Sequence, residues 1–596
     1  MEKPRRRSRK VLTDFFFMRI EIMKRSAVML YLTVVFSVFT IAQNTTSTLT
    51  GTTSDSDDIL PGAVVKLTEV ESGITYSAIS NQKGQFRITG LTPGGPYRLE
   101  VSYVGHKKSV IDIKRISLGE VYSCNVELTT GNELQEVIVK GQAAALRKTG
   151  SSESISAEDI DNKATVDRTL QDILAMSPYY IGSGSFGGRD GGMNNYSIDG
   201  ANFNANMGLD REKMPGAGTP FALEALEDIQ IVNSAFDVKN SNFMGATINA
   251  VTKKGTNTFR GSAYHFYKDE SLRGNRVDGE ELTSPRGDIK RTIYGLTLGG
   301  PIIKDKLFFF VSAELENTPL QLHQWQASKD GVEDGKNLIS RVTESDMKQF
   351  ASDLQSMYGW NPGSYNDFTG DNKFFRLMTR IDWNISKYHK LTLRYNQTNG
   401  KKDNSYSSPG MGMGDGRVSI YSMVFDGSNW KKVDNVYSLT GELNSRFGNN
   451  ITNTLRASFT FNDANNRECD AAFPCIEIMK PYDGDGKNHA YMSAGYDPYA
   501  WLNGINEKSW NVVDNMNISL GNHFLTVGAG FESTKASNCF MKYGAGYYRY
   551  ASYDDFLQKK APVAFAMCWS LTGKERALSD VTYNRLSAYL QDEWQL

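Results

Sequence analysis

The residues able to do chemistry are few and scattered. Six histidines are spread along the 596 residues with no His-Glu-x-x-His pair, so zinc-assisted hydrolysis is not indicated. The stretch Gly182 to Gly192 holds fragments of Gly-x-Gly-x-x-Gly but lacks the preceding strand and following helix that would turn such glycines into a dinucleotide cradle. Asp483-Gly484-Asp485-Gly486 has the opening of a calcium loop. Lys487 then stands where an oxygen ligand is needed, and Ala494 stands where a bidentate glutamate is needed, so the run reads as a turn. No Gly-x-Ser-x-Gly elbow and no Walker lysine motif occurs. Of five cysteines, Cys469 and Cys475 lie close together in a polar stretch and suit a loop disulfide in an oxidising compartment. Cys124, Cys539 and Cys568 have no evident partner. The sequence therefore predicts no enzyme, no cofactor and no metal. Its one binding signal is the tyrosine-rich run Tyr543 to Tyr553, which suits ligand capture but more often marks an interfacial girdle or loop packing.

Positioning elements are much more legible. Lys and Arg number 66 against 67 Asp and Glu, so no basic surface points to nucleic acid. Met23-Lys24-Arg25, the uncharged run Ala27 to Ala42 and Thr40-Ile41-Ala42 before Gln43 have the layout of a secretory signal peptide over 23–42. The basic and Phe-rich residues 1–22 would then precede the true start at Met23. From Thr258 onward the chain alternates apolar and polar residues. Ten strands are predicted near 258–270, 289–300, 305–316, 373–385, 388–398, 433–447, 450–463, 509–520, 522–536 and 583–595. Phe375, Leu377, Thr379, Ile381 and Trp383 share one face; Arg376, Arg380 and Asp382 share the other. Connections alternate strictly between short turns and long segments (271–288, 317–372, 399–432, 464–508, 537–582). A soluble sandwich has no reason to do this, whereas a transmembrane barrel has short periplasmic turns and long outer loops. The predicted fold is mostly β: a small β-sandwich, an α+β domain and a partial transmembrane antiparallel barrel in outer-membrane lipid.

Ahead of the barrel, residues 46–130 show short β runs separated by Gly and Pro turns. Leu60-Pro61-Gly62-Ala63, Asn81-Gln82-Lys83-Gly84-Gln85-Phe86 and Gly90-Leu91-Thr92-Pro93-Gly94 with Tyr97 resemble the carboxypeptidase-regulatory-like domain, which implies a seven-stranded sandwich without catalysis. Glu133 to Gly141 is a short β-prone run suited to strand addition on a partner's sheet. It resembles a TonB box, with Glu136, Val137, Ile138 and Val139 as its core and Lys140 where Thr is usual. Residues 142–255 mix helix and strand, with a helix predicted over Val166 to Met176. The runs Tyr196-Ser197-Ile198-Asp199-Gly200 and Gly245-Ala246-Thr247-Ile248-Asn249-Ala250-Val251-Thr252-Lys253-Lys254-Gly255 resemble the plug domain of TonB-dependent receptors of the Oar-like and SusC-like branch; Met244 departs from the pattern. Tyr196, Asp199, Gly200, Gly245, Asn249, Thr252 and Gly255 carry that motif. Gly299 to Phe310 resembles the first barrel turn of the same receptors.

The resemblance implies an outer-membrane importer reached by Sec export. A plug fills the lumen, and outer loops bind a scarce solute: an oligosaccharide, a peptide or a metal chelate. TonB takes the box as an added strand and pulls. Arg189 and Asp190 are candidates for holding the plug. A separate lipoprotein lid is compatible with this layout, though no residue indicates one. Plugged barrels have about 22 strands; with ten and no terminal Phe, the chain reads as a fragment or a truncated frame of a longer barrel. An outer-membrane adhesion or ligand-capture protein and a secreted multi-sandwich protein are the alternatives.

Overall fold

The computed structural model describes residues 44–594 apart from 132–136, 139–143, 146–149, 166, 205–206, 208–213, 215–218, 236, 241–242, 283–289, 367, 407–416 and 470–472. The signal-peptide segment 23–42, Glu136 and Val139 lie outside the described residues.

The first domain is a β-sandwich. One sheet pairs Ser47–Ser54 with Gln85–Leu91, Val121–Ser123 and Val126–Glu127; the other orders Thr75–Ile79, Val64–Glu69, Tyr97–Ser102 and Ser109–Ile113. Alternate residues point inward, so Val65, Leu67, Leu99, Val101 and Ile111 meet Leu49, Phe86 and Ile88 in one core. Eight strands lie between 47 and 127 instead of seven, because the last is split at Cys124-Asn125 into two pieces that pair in parallel with the same first strand. Two strands from the following segment join the sheets: Val137–Ile138 beside Ser109–Ile113, and Ala144–Ala145 beside Val121–Ser123.

The second domain has a five-stranded sheet in the order Gly150–Ser156, Leu226–Ala235, Thr247–Thr252, Asn195–Ile198, Ala201–Asn202. Two short helices cover it, Ala157–Asn162 and Leu170–Leu174. The second is shorter than the periodicity predicts. Thr169 and Asp172 form a reciprocal capping box, which fixes the helix start at Leu170. Ile173, Leu174, Tyr196, Ile229, Ile231 and Ile248 form its core, joined by Val436 of the barrel wall.

The wall is one ten-stranded antiparallel sheet: Arg260–Asp269, Lys290–Ile303, Leu307–Asn317, Asn372–Asn384, His389–Asn404, Trp430–Phe447, Ile451–Glu468, Gly504–Leu520, His523–Cys539 and Ser579–Trp594. All ten predicted strands are present. Several extend past the predicted bounds on the long-loop side, because cross-strand pairing continues there through polar residues such as Lys402↔Lys432 and Asp403↔Lys431. Leu296, Leu315, Leu393, Leu439 and Leu455 point outward and are exposed, whereas Arg376, Arg380, Arg394 and Arg456 point inward and are buried. Outward rings at the short-turn end, Trp383, Tyr388, Phe447 and Trp594, form an aromatic band suited to a membrane interface. No described helix is long and apolar enough to cross a membrane; in hydrocarbon such a wall spans as paired strands.

The long connections are not irregular. Four of the five fold together into a module with a five-stranded sheet ordered Met423–Val424, Lys487–Ala494, Cys475–Tyr482, Tyr547–Tyr550, Ala564–Ala566. The helix Glu344–Tyr358 packs Met347, Phe350 and Leu354 against Phe425, Ile478, Tyr491 and Phe556.

Candidate functional site: the plug–wall junction

The two plug motifs sit side by side. Asn195–Ile198 pairs in parallel with Thr247–Thr252, in the register Tyr196↔Ile248, Ser197↔Asn249, Ile198↔Ala250. Tyr196 is buried, and its hydroxyl accepts from Asn194 Nδ2 at 3.1 Å. Ser197 Oγ donates to Asn249 Oδ1 at 2.6 Å. Gly245 leaves room for Asn194: a Cβ there would lie 2.3 Å from Asn194 Oδ1.

Beyond Ile198 the chain reverses. Asp199 adopts φ +49° and Gly200 φ +76°, left-handed values that Asp tolerates and Gly meets without cost. The reversal turns the Asp199 carboxylate over the neighbouring strand, where it accepts from Thr252 N at 3.1 Å and Thr252 Oγ1 at 2.7 Å. It also brings the carboxylate to the wall. Arg394 Nε lies 3.4 Å from Asp199 Oδ1, and Arg380 Nη1 lies 3.9 Å from the same atom. Arg380 donates to the Thr252 carbonyl at 2.8 Å and grips Asp382 with two bonds, of 2.7 and 3.0 Å. Lys390 Nζ lies 3.3 Å from Asp382, and Glu442 Oε2 stands 3.6 Å from both Arg394 and Arg456. A Cβ on Gly200 would lie 1.9 Å from Arg456 Nη1, so glycine is what lets this arginine approach.

Asp199 is 2% exposed, Arg380 3%, Arg394 8% and Arg456 1%. Buried charges are tolerated only when paired and hydrogen-bonded, and here each domain supplies what the other lacks. The plug contributes one carboxylate to a wall cluster otherwise rich in guanidinium. A second contact repeats the logic: Arg376 donates to the plug carbonyl of Thr219 at 2.7 Å while held by Glu314 and Glu316 at 2.9 and 2.7 Å. Gly255 marks the plug's exit to the wall. A Cβ there would sit 2.3 Å from the Phe309 carbonyl and 2.8 Å from that of Gly300.

Several expectations change. Arg189 and Asp190 are bonded within the plug, with no hydrogen bond or ion pair to the wall among the described residues: Arg189 reaches the Gly245 carbonyl, and Asp190 caps Gly192. Cys469 and Cys475 are not joined. Cys475 opens a strand of the loop module and its Sγ accepts from the buried Arg417 at 2.5 Å, while burial pushes its thiol up to about 12. The tyrosine run is mainly loop packing: Tyr547 is buried against Glu477, and the Tyr553 hydroxyl donates to Asp353 at 2.5 Å. Asp483 to Gly486 is the turn of a hairpin, where Asp485 accepts from Lys487 N and lies 2.9 Å from His489 Nε2. In the box, Val137 and Ile138 pair in parallel with Ser109 and Val110. Sequence reasoning missed the charge cluster, although Arg376, Arg380, Arg394 and Arg456 recur on inward strand faces. It also missed the helix Glu344–Tyr358, which Thr343 and Asp346 at its start and Gly359 at its end announce.

A sheet with an apolar outer face, a charged inner face and a folded domain bonded to that inner face has the layout of an outer-membrane barrel wall with a domain seated against its inside. The chain matches the family described as outer membrane beta barrel domain over residues 251–324 and 336–596, more than half its length, and belongs to that family. Residues 48–129 match the carboxypeptidase regulatory-like domain. The TonB-dependent transporter Oar of Myxococcus xanthus is 24% identical over 382 residues, covering 59% of this chain and 33% of that protein. The outer membrane transporter YddB from Escherichia coli shares the fold at TM-score 0.50 and 12% identity, over 74% of this chain and 54% of that one. The chain thus spans about a third of the length of the curated relative. Family and fold place it in the Gram-negative outer membrane.

Proposed function

We propose that this chain serves TonB-dependent import of a scarce extracellular solute across the outer membrane. The observation that carries the reading is the plug itself, hydrogen-bonded and ion-paired to the inward wall through Asp199 and Thr219. A plug held in this way obstructs the inner face of the wall, so passage along it requires work on the plug. In this reading the periplasmic partner TonB binds Glu136 to Val139 as an added strand, and the pull is relayed through 142–149 to the first plug strand. The outer loop module meets the solute. The solute belongs among oligosaccharides, peptides and chelates, and no described residue selects one.

The test is removal of 133–141 from the full-length protein in cells, with depletion of labelled oligosaccharides, peptides and chelates followed in the medium. Import predicts that depletion stops while surface binding persists. Depletion that continues unchanged refutes it. The folded loop module also suits a capture or adhesion protein without transport, for which surface retention alone would be seen in both strains.

A further inference from the structure

The sandwich is bonded along the short-turn end of the wall, directly at or beside three of the short turns and through Asn257 at the first. At the first turn, Asn257 N donates to the Glu71 carbonyl at 2.9 Å, and Asn257 Nδ2 holds Asp305 at 2.6 Å. At the second, Lys390 Nζ donates to Thr92 Oγ1 at 3.3 Å. At the third, Arg446 donates to the Ser77 carbonyl at 3.0 Å, and Thr89 and Thr452 share a 2.7 Å hydroxyl bond. At the fourth, Asn81 Nδ2 donates to the Gly521 carbonyl at 3.3 Å. Arg87 then clasps Glu593 with two bonds, of 2.9 and 3.2 Å, and lies 4.6 Å over the Phe524 ring. Arg115 ties the sandwich to the plug through Glu227 and Asp228.

Between sandwich, plug and wall lies a cavity of about 460 Å3. Asp199, Arg394 and Glu442 line it from the plug and wall, and Tyr76 and Thr92 line it from the sandwich. A solute released past the Asp199 cluster would therefore meet the sandwich before the periplasm. These contacts are hydrogen bonds and ion pairs, the pair of Lys254 with the buried Glu69 among them, the polar kind of interface across which domains move. The box strand Val137–Ile138 is hydrogen-bonded to the sandwich's own sheet, so a tether on the box bears on the sandwich as well as on the plug.

We propose that the sandwich is a lid on the short-turn mouth of the barrel, lifted when TonB pulls on the box. This rests on the import reading. The test uses the full-length protein in intact cells carrying Thr452→Cys, a position covered by Thr89 when the lid is docked. Fluorescein maleimide reaches the periplasm through porins, and its attachment to the peptide that spans the substituted position is read by mass spectrometry. The lid predicts labelling about tenfold faster in respiring than in uncoupled cells, as opening exposes the site. Equal rates in the two, fast or slow, overturn it. Energy-dependent labelling that survives removal of 133–141 supports the lid and instead refutes the box as its handle. As a second variant, Arg87→Ala in the same background weakens docking and raises labelling in uncoupled cells several-fold; no rise overturns the docked state.

Discussion

Replacing Asp199 by Asn isolates the contribution of the plug's carboxylate to its seat in the barrel. The amide keeps one acceptor for Thr252 N but gives up the negative charge 3.4 Å from Arg394 and 3.9 Å from Arg380. At 2% exposure for Asp199 and 8% for Arg394, water does not screen the loss. Deleting one partner of a buried pair costs about 3–5 kcal/mol. Glu442 and Asp382 still face the two arginines, so the lower end applies, about 3 kcal/mol, or roughly a 150-fold shift in the plug's opening equilibrium. Hydrogen exchange on the purified full-length protein in nanodiscs reads this directly, because amides of Thr247–Thr252 exchange only when the plug loosens. Protection there should fall by about two orders of magnitude. A change below about fivefold, near 1 kcal/mol, would refute the claim that Asp199 secures the plug. The double variant Asp199→Asn with Arg394→Gln should lose less than the two single losses added, since each single variant leaves an uncompensated charge.

Gly255→Ala drives a methyl to 2.3 Å from the Phe309 carbonyl; such overpacking costs about 1–3 kcal/mol, so protease resistance of the plug in outer membranes should fall while the barrel still inserts. In the loop module, Glu477→Gln removes the buried partner of Arg549, 2.8 Å away, at a cost of about 3–5 kcal/mol, and surface trypsin should then cut the loops of intact cells. Cys475, with its thiol raised to about 12, should resist iodoacetamide in the native protein and react once unfolded. In the sandwich, the Asp58 backbone N–H and then the His106 ring hold Asp55 down to about 2, and the Asp55 hydrogen bond lifts His106 above 6.5. The Asp55 contribution is thus full above pH 3.8 and fades toward about 2, and that of His106 is full below 6.5 and fades as pH climbs through its raised value. Exchange protection of the sandwich should therefore drop above pH 6.5, and His106→Asn should abolish that drop.

How much of this was legible depended on whether the signal is local. The ten wall strands were readable because a membrane wall forces a period of two onto each strand and a short-long rhythm onto the connections, as in Arg376, Arg380 and Asp382 opposite Ile381 and Trp383. Asp199 and Gly200 were readable as a motif, but their meaning was not. The partners Arg380, Arg394 and Arg456 lie on three different strands, and only the folded wall brings them together. The loop module was invisible for the same reason. Its core draws Phe350, Phe425, Ile478 and Phe556 from four separate connections, none of which carries the pattern alone. Docking of the sandwich rests on single polar contacts such as Thr89 with Thr452, which no periodicity encodes.

That loop module has a consequence for anything that recognises the cell from outside. Its surface is assembled from four stretches far apart in the chain and held over a shared interior. An antibody or a phage tail fibre therefore meets a discontinuous epitope, and synthetic peptides copied from one stretch would raise sera that miss the native surface. Escape is constrained in the same way: an insertion in one stretch has to be accommodated by the other three, so variation at this face should favour coordinated replacement of whole modules over drift in single loops.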